Sequence, residues 1–245
     1  MILCCAALAA LGYEGPPPLT EMDGRSPIRM GGELLGGYRS HYVYRGEKMG
    51  NNSVEGQISG GFSLSDSWAM SGELFSVRNW QSRNFNQTSL HGEVQYYLAD
   101  ECTAGFFLNG QWYDSCPLKS GAEPGLVLRW NPKRDWSFRG SLLYDAGQDG
   151  FYSEWAATWQ PLLCESVAMV NTVSLGFSQD YMGRTGLKEV MVRTGFLWGA
   201  STGLRVEPFI GLYCGYGRDD FKKVVLGLWL SLIHISEPTR RVVIS

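Results

Sequence analysis

Two pairs of side chains in this sequence have types and spacing suited to nucleophilic chemistry. Ser89-Leu90-His91 sets a hydroxyl and an imidazole two residues apart. On an extended segment they share one face, where an imidazole can act as general base toward a serine. Ser40 and His41 are adjacent and point to opposite sides of a strand. The face that carries His91 also carries Glu93 and Gln95, so this hydroxyl–imidazole pair sits on the polar side of its segment. No HExxH, paired-cysteine zinc spacing, P-loop or dinucleotide fingerprint occurs, and the glycines of Gly211 to Gly217 lack a strand–turn–helix setting. No metal and no cofactor is therefore expected, and no catalytic residue is assigned. What the chain carries instead is opposed charge, glutamates and arginines recurring at strand-like spacing along most of its length.

The elements that position these charges follow from composition and periodicity. Charged residues make up 18% of the 245 residues, aromatics 13%, with 31 glycines and a net charge of −3. Soluble domains average ~25% charged residues. A charge-poor, aromatic-rich chain is not a disordered one, and with no basic block a nucleic-acid partner is excluded. From Leu34 to Trp229 apolar and polar residues alternate with period two. Leu34, Gly36, Tyr38, Ser40, Tyr42 and Tyr44 share a face against Arg39, His41 and Arg45; Leu90, Val94, Tyr96 and Leu98 oppose His91, Glu93 and Gln95; Leu204, Val206, Ile210 and Leu212 oppose Arg205 and Glu207. Only near the end, where Val225 and Trp229 fall out of phase with Val224, Leu226 and Leu228, is the facing ambiguous. Twelve such strands can be counted, an even number suited to a closed antiparallel barrel with both chain ends on one side. The expected fold is all-β, a single antiparallel transmembrane β-barrel.

Alternation does not say which face points outward, since a soluble barrel hides its apolar face and a membrane barrel shows it to lipid. Three features favour lipid. Trp68, Trp112, Trp130, Trp136, Tyr144, Trp159 and Phe177 fall toward strand ends, as a lipid-facing girdle at headgroup depth requires. Strands of about ten residues match the ~9–11 that cross a tilted bilayer span. Connections alternate between tight ones, such as Ser65 to Ser67 and Asn131 to Asp135, and longer ones at Arg78 to Gln87, Tyr113 to Ser120 and Gln179 to Gly186. Short periplasmic turns and longer outer loops give that rhythm. Cys116 and Cys214 both fall on the outer side and could meet there, whereas Cys102 and Cys164 lie in turns too far apart around the barrel to pair.

The ends are set apart from the barrel. Residues 1–12 are apolar and rich in small side chains and read as a signal-peptide remnant. Residues 13–33, with Pro16-Pro17-Pro18, read as a periplasmic lead-in, and 34–229 as the barrel. Residues 230–245 resemble the in-frame translation of a transposon-type sequencing adapter, so His234, Glu237 and Arg240 are given no function. The natural chain is expected to continue past Trp229 with other residues. The stretch Ser40-His41-Tyr42-Val43-Tyr44-Arg45-Gly46 resembles the opening of the TorF family of porins, Gram-negative outer-membrane barrels, although Glu47-Lys48 follows the glycine where that family favours an apolar residue. The resemblance implies a bacterial outer-membrane protein with a channel role, delivered by the barrel-insertion machinery, without implying a substrate.

The expected lumen lining is Arg39, His41, Arg45, Glu55, Glu73, His91, Glu93, Glu123, Arg129, Arg139, Asp145, Glu154, Glu189, Arg193, Arg205 and Glu207. Arg45 has two readings, a basic group at the outer mouth of the lumen or a strand-end arginine at the headgroup boundary. In a narrow tube such groups pair, because isolated charges away from water are costly. Twelve strands lie between the ~8 whose interior fills with side chains and the ~16 that leave a wide channel. The expected function is passive diffusion of small polar solutes through a narrow mixed-charge pore. Two alternatives stay open: a side-chain-plugged structural or adhesive barrel, and an outer-membrane phospholipase-type enzyme using Ser89 and His91.

Overall fold

The computed structural model describes residues 30–80, 86–114, 118–201, 203–216 and 220–236. The signal-like segment, most of the lead-in, Cys116 and the last nine residues lie outside these. The described residues form strands β1 (Met30–Tyr44), β2 (Glu47–Ser63), β3 (Trp68–Asn79), β4 (Asn86–Ala99), β5 (Cys102–Asp114), β6 (Gly121–Lys133), β7 (Trp136–Asp145), β8 (Gly150–Trp159), β9 (Leu162–Cys164), β10 (Val167–Tyr181), β11 (Arg184–Ser201), β12 (Leu204–Gly215) and β13 (Phe221–Ser236). Consecutive strands pair antiparallel from β1 to β8 and from β10 to β13, β8 pairs with β10, and β13 pairs with β1, so twelve strands close on themselves. The three-residue β9 is extra and pairs with the start of β10. Closure leaves no long unpaired edge, the condition for a sheet to sit in hydrocarbon.

The register turns sequence alternation into two surfaces. Leu34 lies opposite Ile58, Ile58 opposite Leu74, and Leu74 opposite Leu90, a row of apolar side chains on the outside. One position along, Glu73 faces His91, His91 faces Asn109, and Asn109 faces Glu123, a polar row on the inside. Ile58 and Leu126 are each 59% exposed, whereas Glu123 is 0% and His91 1% exposed. A wall of exposed leucine, tryptophan and phenylalanine around a core of buried ions is the inverse of a soluble protein. It is stable only where the surroundings are apolar, and the chain is a membrane-spanning β-barrel.

Aromatic rings bracket that wall. At the end where β1 begins and β13 finishes, Trp68 packs on Tyr96 at 4.8 Å, and Trp130, Phe138, Trp136 and Trp159 form a chain with centroid spacings of 5.3, 5.9 and 6.2 Å. Trp159 donates its indole N–H to Asp135 at 3.1 Å, keeping its polar tip toward water. Trp112, Tyr144 and Phe177 fall at the opposite end, where Tyr144 lies 5.1 Å from Phe151 and donates to Asp149. Along β5, Cys102 pairs with Trp130 and Trp112 follows ten residues later. That is about 33 Å of strand, or about 25 Å of membrane thickness at a tilt of ~40°.

Several details differ from the sequence reading. Barrel strands run from 10 to 18 residues. The expected long connection at Gln179–Gly186 is mostly strand, turned by Met182 and Gly183. β13 places Val224, Leu226 and Leu228 outward and Val225 and Trp229 inward, which settles its facing. β1 starts at Met30 and β13 runs through Ser236, so residues 30–36 pair with 230–236. Cys102, Cys164 and Cys214 are free thiols.

Candidate functional site

Among the expected lining residues, Arg39, Arg45, Glu55, Glu73, His91, Glu93, Glu123, Arg129, Asp145, Glu154, Arg193 and Glu207 are buried inside the barrel, and His41, Arg139, Glu189 and Arg205 are half-buried. Trp68, Trp112, Trp130, Trp136, Trp159 and Phe177 are exposed on the outer wall, and Tyr144 is half-exposed. Most of the interior ions are joined in pairs: Arg39 to Glu55 at 2.5 Å, Arg193 to Glu207 at 3.1 Å, Arg139 to Glu154 at 3.4 Å, and Arg129 to both oxygens of Glu93 at 2.5 and 2.8 Å. Pairing of this kind offsets the cost of taking each ion out of water. His91 directs Nδ1 at Asn109 and Nε2 at Glu93, 3.4 Å away. Both ring nitrogens thus face partners other than the Ser89 hydroxyl.

The outer mouth has a feature that alternation does not contain. Tyr42, Val43, Tyr44, Arg45 and Gly46 are buried in succession, because the tip of the β1–β2 hairpin bends into the barrel. Its register shifts between Tyr42 and Val43, and such a bulge bends a strand. Tyr42 and Tyr44, assigned by period to the outer wall, sit inside, 4% and 3% exposed. Arg45 and Gly46 make a two-residue turn with φ of 47° and 72°, the type I′ geometry that suits a tight hairpin. A Cβ at Gly46 would lie 2.2 Å from the Lys188 carbonyl oxygen, so only glycine permits this depth of insertion.

The inserted tip is fastened on several sides. The Arg45 guanidinium donates to the two oxygens of Glu123 at 2.6 and 2.8 Å, to Asp145 at 3.4 Å and to the Tyr181 hydroxyl at 3.2 Å. Its central carbon lies 4.8, 5.1 and 5.6 Å from the ring centres of Tyr44, Tyr152 and Tyr181, within cation–π range. The Gly46 amide donates to Glu189 at 2.8 Å, and Lys188 pairs with Glu47 at 2.5 Å. Tyr42 donates to Gln87 at 2.8 Å. Around the tip pack Phe75, Val77, Met191, Phe209, Tyr213 and Trp229, the last lying 4.6 Å from Arg193 and 5.0 Å from Arg39. Lys188, Glu47 and these inward aromatics escape a reading based on alternating polarity. Their one sequence signal is the out-of-phase placing of residues such as Trp229.

No family model matches this sequence, and no curated protein does so either. Solved structures match in fold. The KdgM porin is 9% identical with a TM-score of 0.55, covering 82% of this chain and 98% of its own; the NanC porin is 14% identical with a TM-score of 0.55 over the same shares. An outer-membrane channel from Pseudomonas putida F1 is 8% identical with a TM-score of 0.52, covering 87% of this chain and all of its own. The chain has the fold of outer-membrane porins, and that closed barrel with its apolar wall places it in the bacterial outer membrane.

Proposed function

We propose that the chain is a porin-like channel that lets small polar solutes cross the outer membrane by passive diffusion through a narrow lumen of mixed charge. The observation that carries this reading is the set of paired arginines and carboxylates along the inside of a closed twelve-stranded barrel. The likeness in fold to porins supports it, and the Ser40–Gly46 stretch supports kinship with the TorF-family barrels. That both His91 ring nitrogens face Asn109 and Glu93 speaks against catalysis at Ser89. A second reading, a side-chain-plugged structural or adhesive barrel, is favoured by one observation: Arg45, Glu123, Arg193 and Glu207 are each 3% exposed or less, so side chains fill the mouth and the middle. Toward the end where β1 begins, Ser137, Arg139 and Arg205 are half-buried, consistent with a vestibule on that side.

Planar-bilayer recording separates the two. The refolded protein is expected to give discrete conductance steps, brief or infrequent in the wild type because the hairpin tip occupies the mouth. In Arg45→Gly, which keeps the positive φ but removes the guanidinium, the steps become larger or longer-lived. Silence from both, in protein that still shows the heat-dependent gel shift of a folded barrel, would leave the plugged reading standing.

A further inference from the structure

We propose that the pocket beneath the first hairpin is a binding site for guanidinium-bearing solutes, filled in this structure by the chain's own Arg45. The receptor groups belong to the barrel wall and the occupant to a turn. Glu123 is on β6, Asp145 on β7, Tyr152 on β8 and Tyr181 on β10, strands that neighbour one another in the sheet.

Each receptor group is held by contacts that do not involve Arg45. The Glu123 carboxylate accepts from Asn109 at 3.2 Å and Gln111 at 3.3 Å. Asp145 accepts from the Gly147 and Gln148 amides at 2.8 and 3.0 Å. Tyr152 donates to Glu189, and its ring packs 5.8 Å from that of Tyr181. Removing the arginine side chain thus leaves two oriented carboxylates and two tyrosine faces around a guanidinium-sized space.

The chemistry selects the ligand. Two parallel N–H···O bonds to one carboxylate need a planar fork of donors, which a guanidinium has and an ammonium lacks. Stacking against aromatic faces adds to the preference for a flat, weakly hydrated cation. A solute bearing such a group competes with Arg45 for Glu123, so its binding and release of the hairpin from the mouth are coupled. This inference uses only the interior geometry, and its test does not require the barrel to conduct.

The test is calorimetric titration of methylguanidine into the full chain, refolded in detergent micelles. Arg45→Gly is expected to bind methylguanidine saturably at one site. Wild type, with its site filled, binds at least about ten-fold more weakly, and the Arg45→Gly, Glu123→Gln double variant does not bind. Methylammonium, matched in charge but without the fork, should bind Arg45→Gly about ten-fold more weakly than methylguanidine does. Arg45→Asn, which also tolerates positive φ, serves if the glycine variant refolds poorly. If neither refolds alone, methylguanidine in the refolding mixture should restore both. The inference fails if the folded variants do not bind methylguanidine, if they bind it equally after Glu123→Gln, or if the ligand does not restore refolding where refolding is lost.

Discussion

Replacing Glu123 by alanine lowers the stability of the folded barrel by about 3–5 kcal/mol, the usual cost of stranding one member of a buried ion pair. The size follows from what remains. Of its hydrogen bonds Arg45 would keep only the longer ones, to Asp145 at 3.4 Å and the Tyr181 hydroxyl at 3.2 Å, in a buried site. Asn109 and Gln111 would lose the acceptor their amides share. Equilibrium unfolding in urea, with the protein in micelles or thin bilayers, reads the change directly. Arg45→Gly together with Glu123→Ala should cost less than the sum of the two single changes, because residues in one network do not add. Equal, additive losses would show that Arg45 and Glu123 do not share a buried contact.

The second large effect lies on the outside. Leu126 is 59% exposed, sits on β6 opposite Leu142 of β7, and lies about midway between the two aromatic rings. Leu126→Arg should destabilise the membrane-inserted barrel by about 2–4 kcal/mol, the cost of an arginine at the bilayer midplane. Leu64→Arg, past the Trp68 ring at the terminal end, should cost only about 0–1 kcal/mol, since the charge reaches the headgroups. The contrast is the informative quantity, because a soluble barrel would tolerate both arginines on its surface. Measuring both variants in the same lipid by urea unfolding removes differences between membranes.

Much of this architecture is legible from residue types because period two is the geometry of a strand. A row such as Leu34, Ile58, Leu74 and Leu90 declares its face before any pairing is known. The paired interior is legible in outline for the same reason, since Glu55, Glu93, Arg193 and Glu207 fall on the polar parity. What parity cannot supply is which ions meet. Arg45 and Glu123 are 78 residues apart and Arg45 and Asp145 are 100 apart, and only closure of the barrel brings them together. The inward hairpin is hidden for another reason. The unbroken buried run from Tyr42 to Gly46 departs from period two, so Tyr42 and Tyr44 read as outer-wall residues while they pack in the mouth. Glu47 and Lys188 lie beyond the regular alternation at strand ends, and their pairing depends on the depth of that insertion. Phe107, Phe209 and Trp229, all buried inside the barrel, contradict a simple apolar-out rule because an interior this narrow fills with large side chains as well as ions.

The claim on which all of this rests is the direction of the two faces. Nitroxide labels placed singly at Ile58, Leu126 and Ile210, and for comparison at Gln57 and Gln111, with the protein refolded into lipid bilayers, test it most directly. The first three should collide freely with dissolved oxygen and hardly at all with a water-soluble nickel chelate, as lipid-facing sites do. The labels at Gln57 and Gln111 should be poorly reached by oxygen. Labels at Ile58, Leu126 and Ile210 that are shielded from oxygen, with those at Gln57 and Gln111 open to the chelate around the periphery, would contradict it.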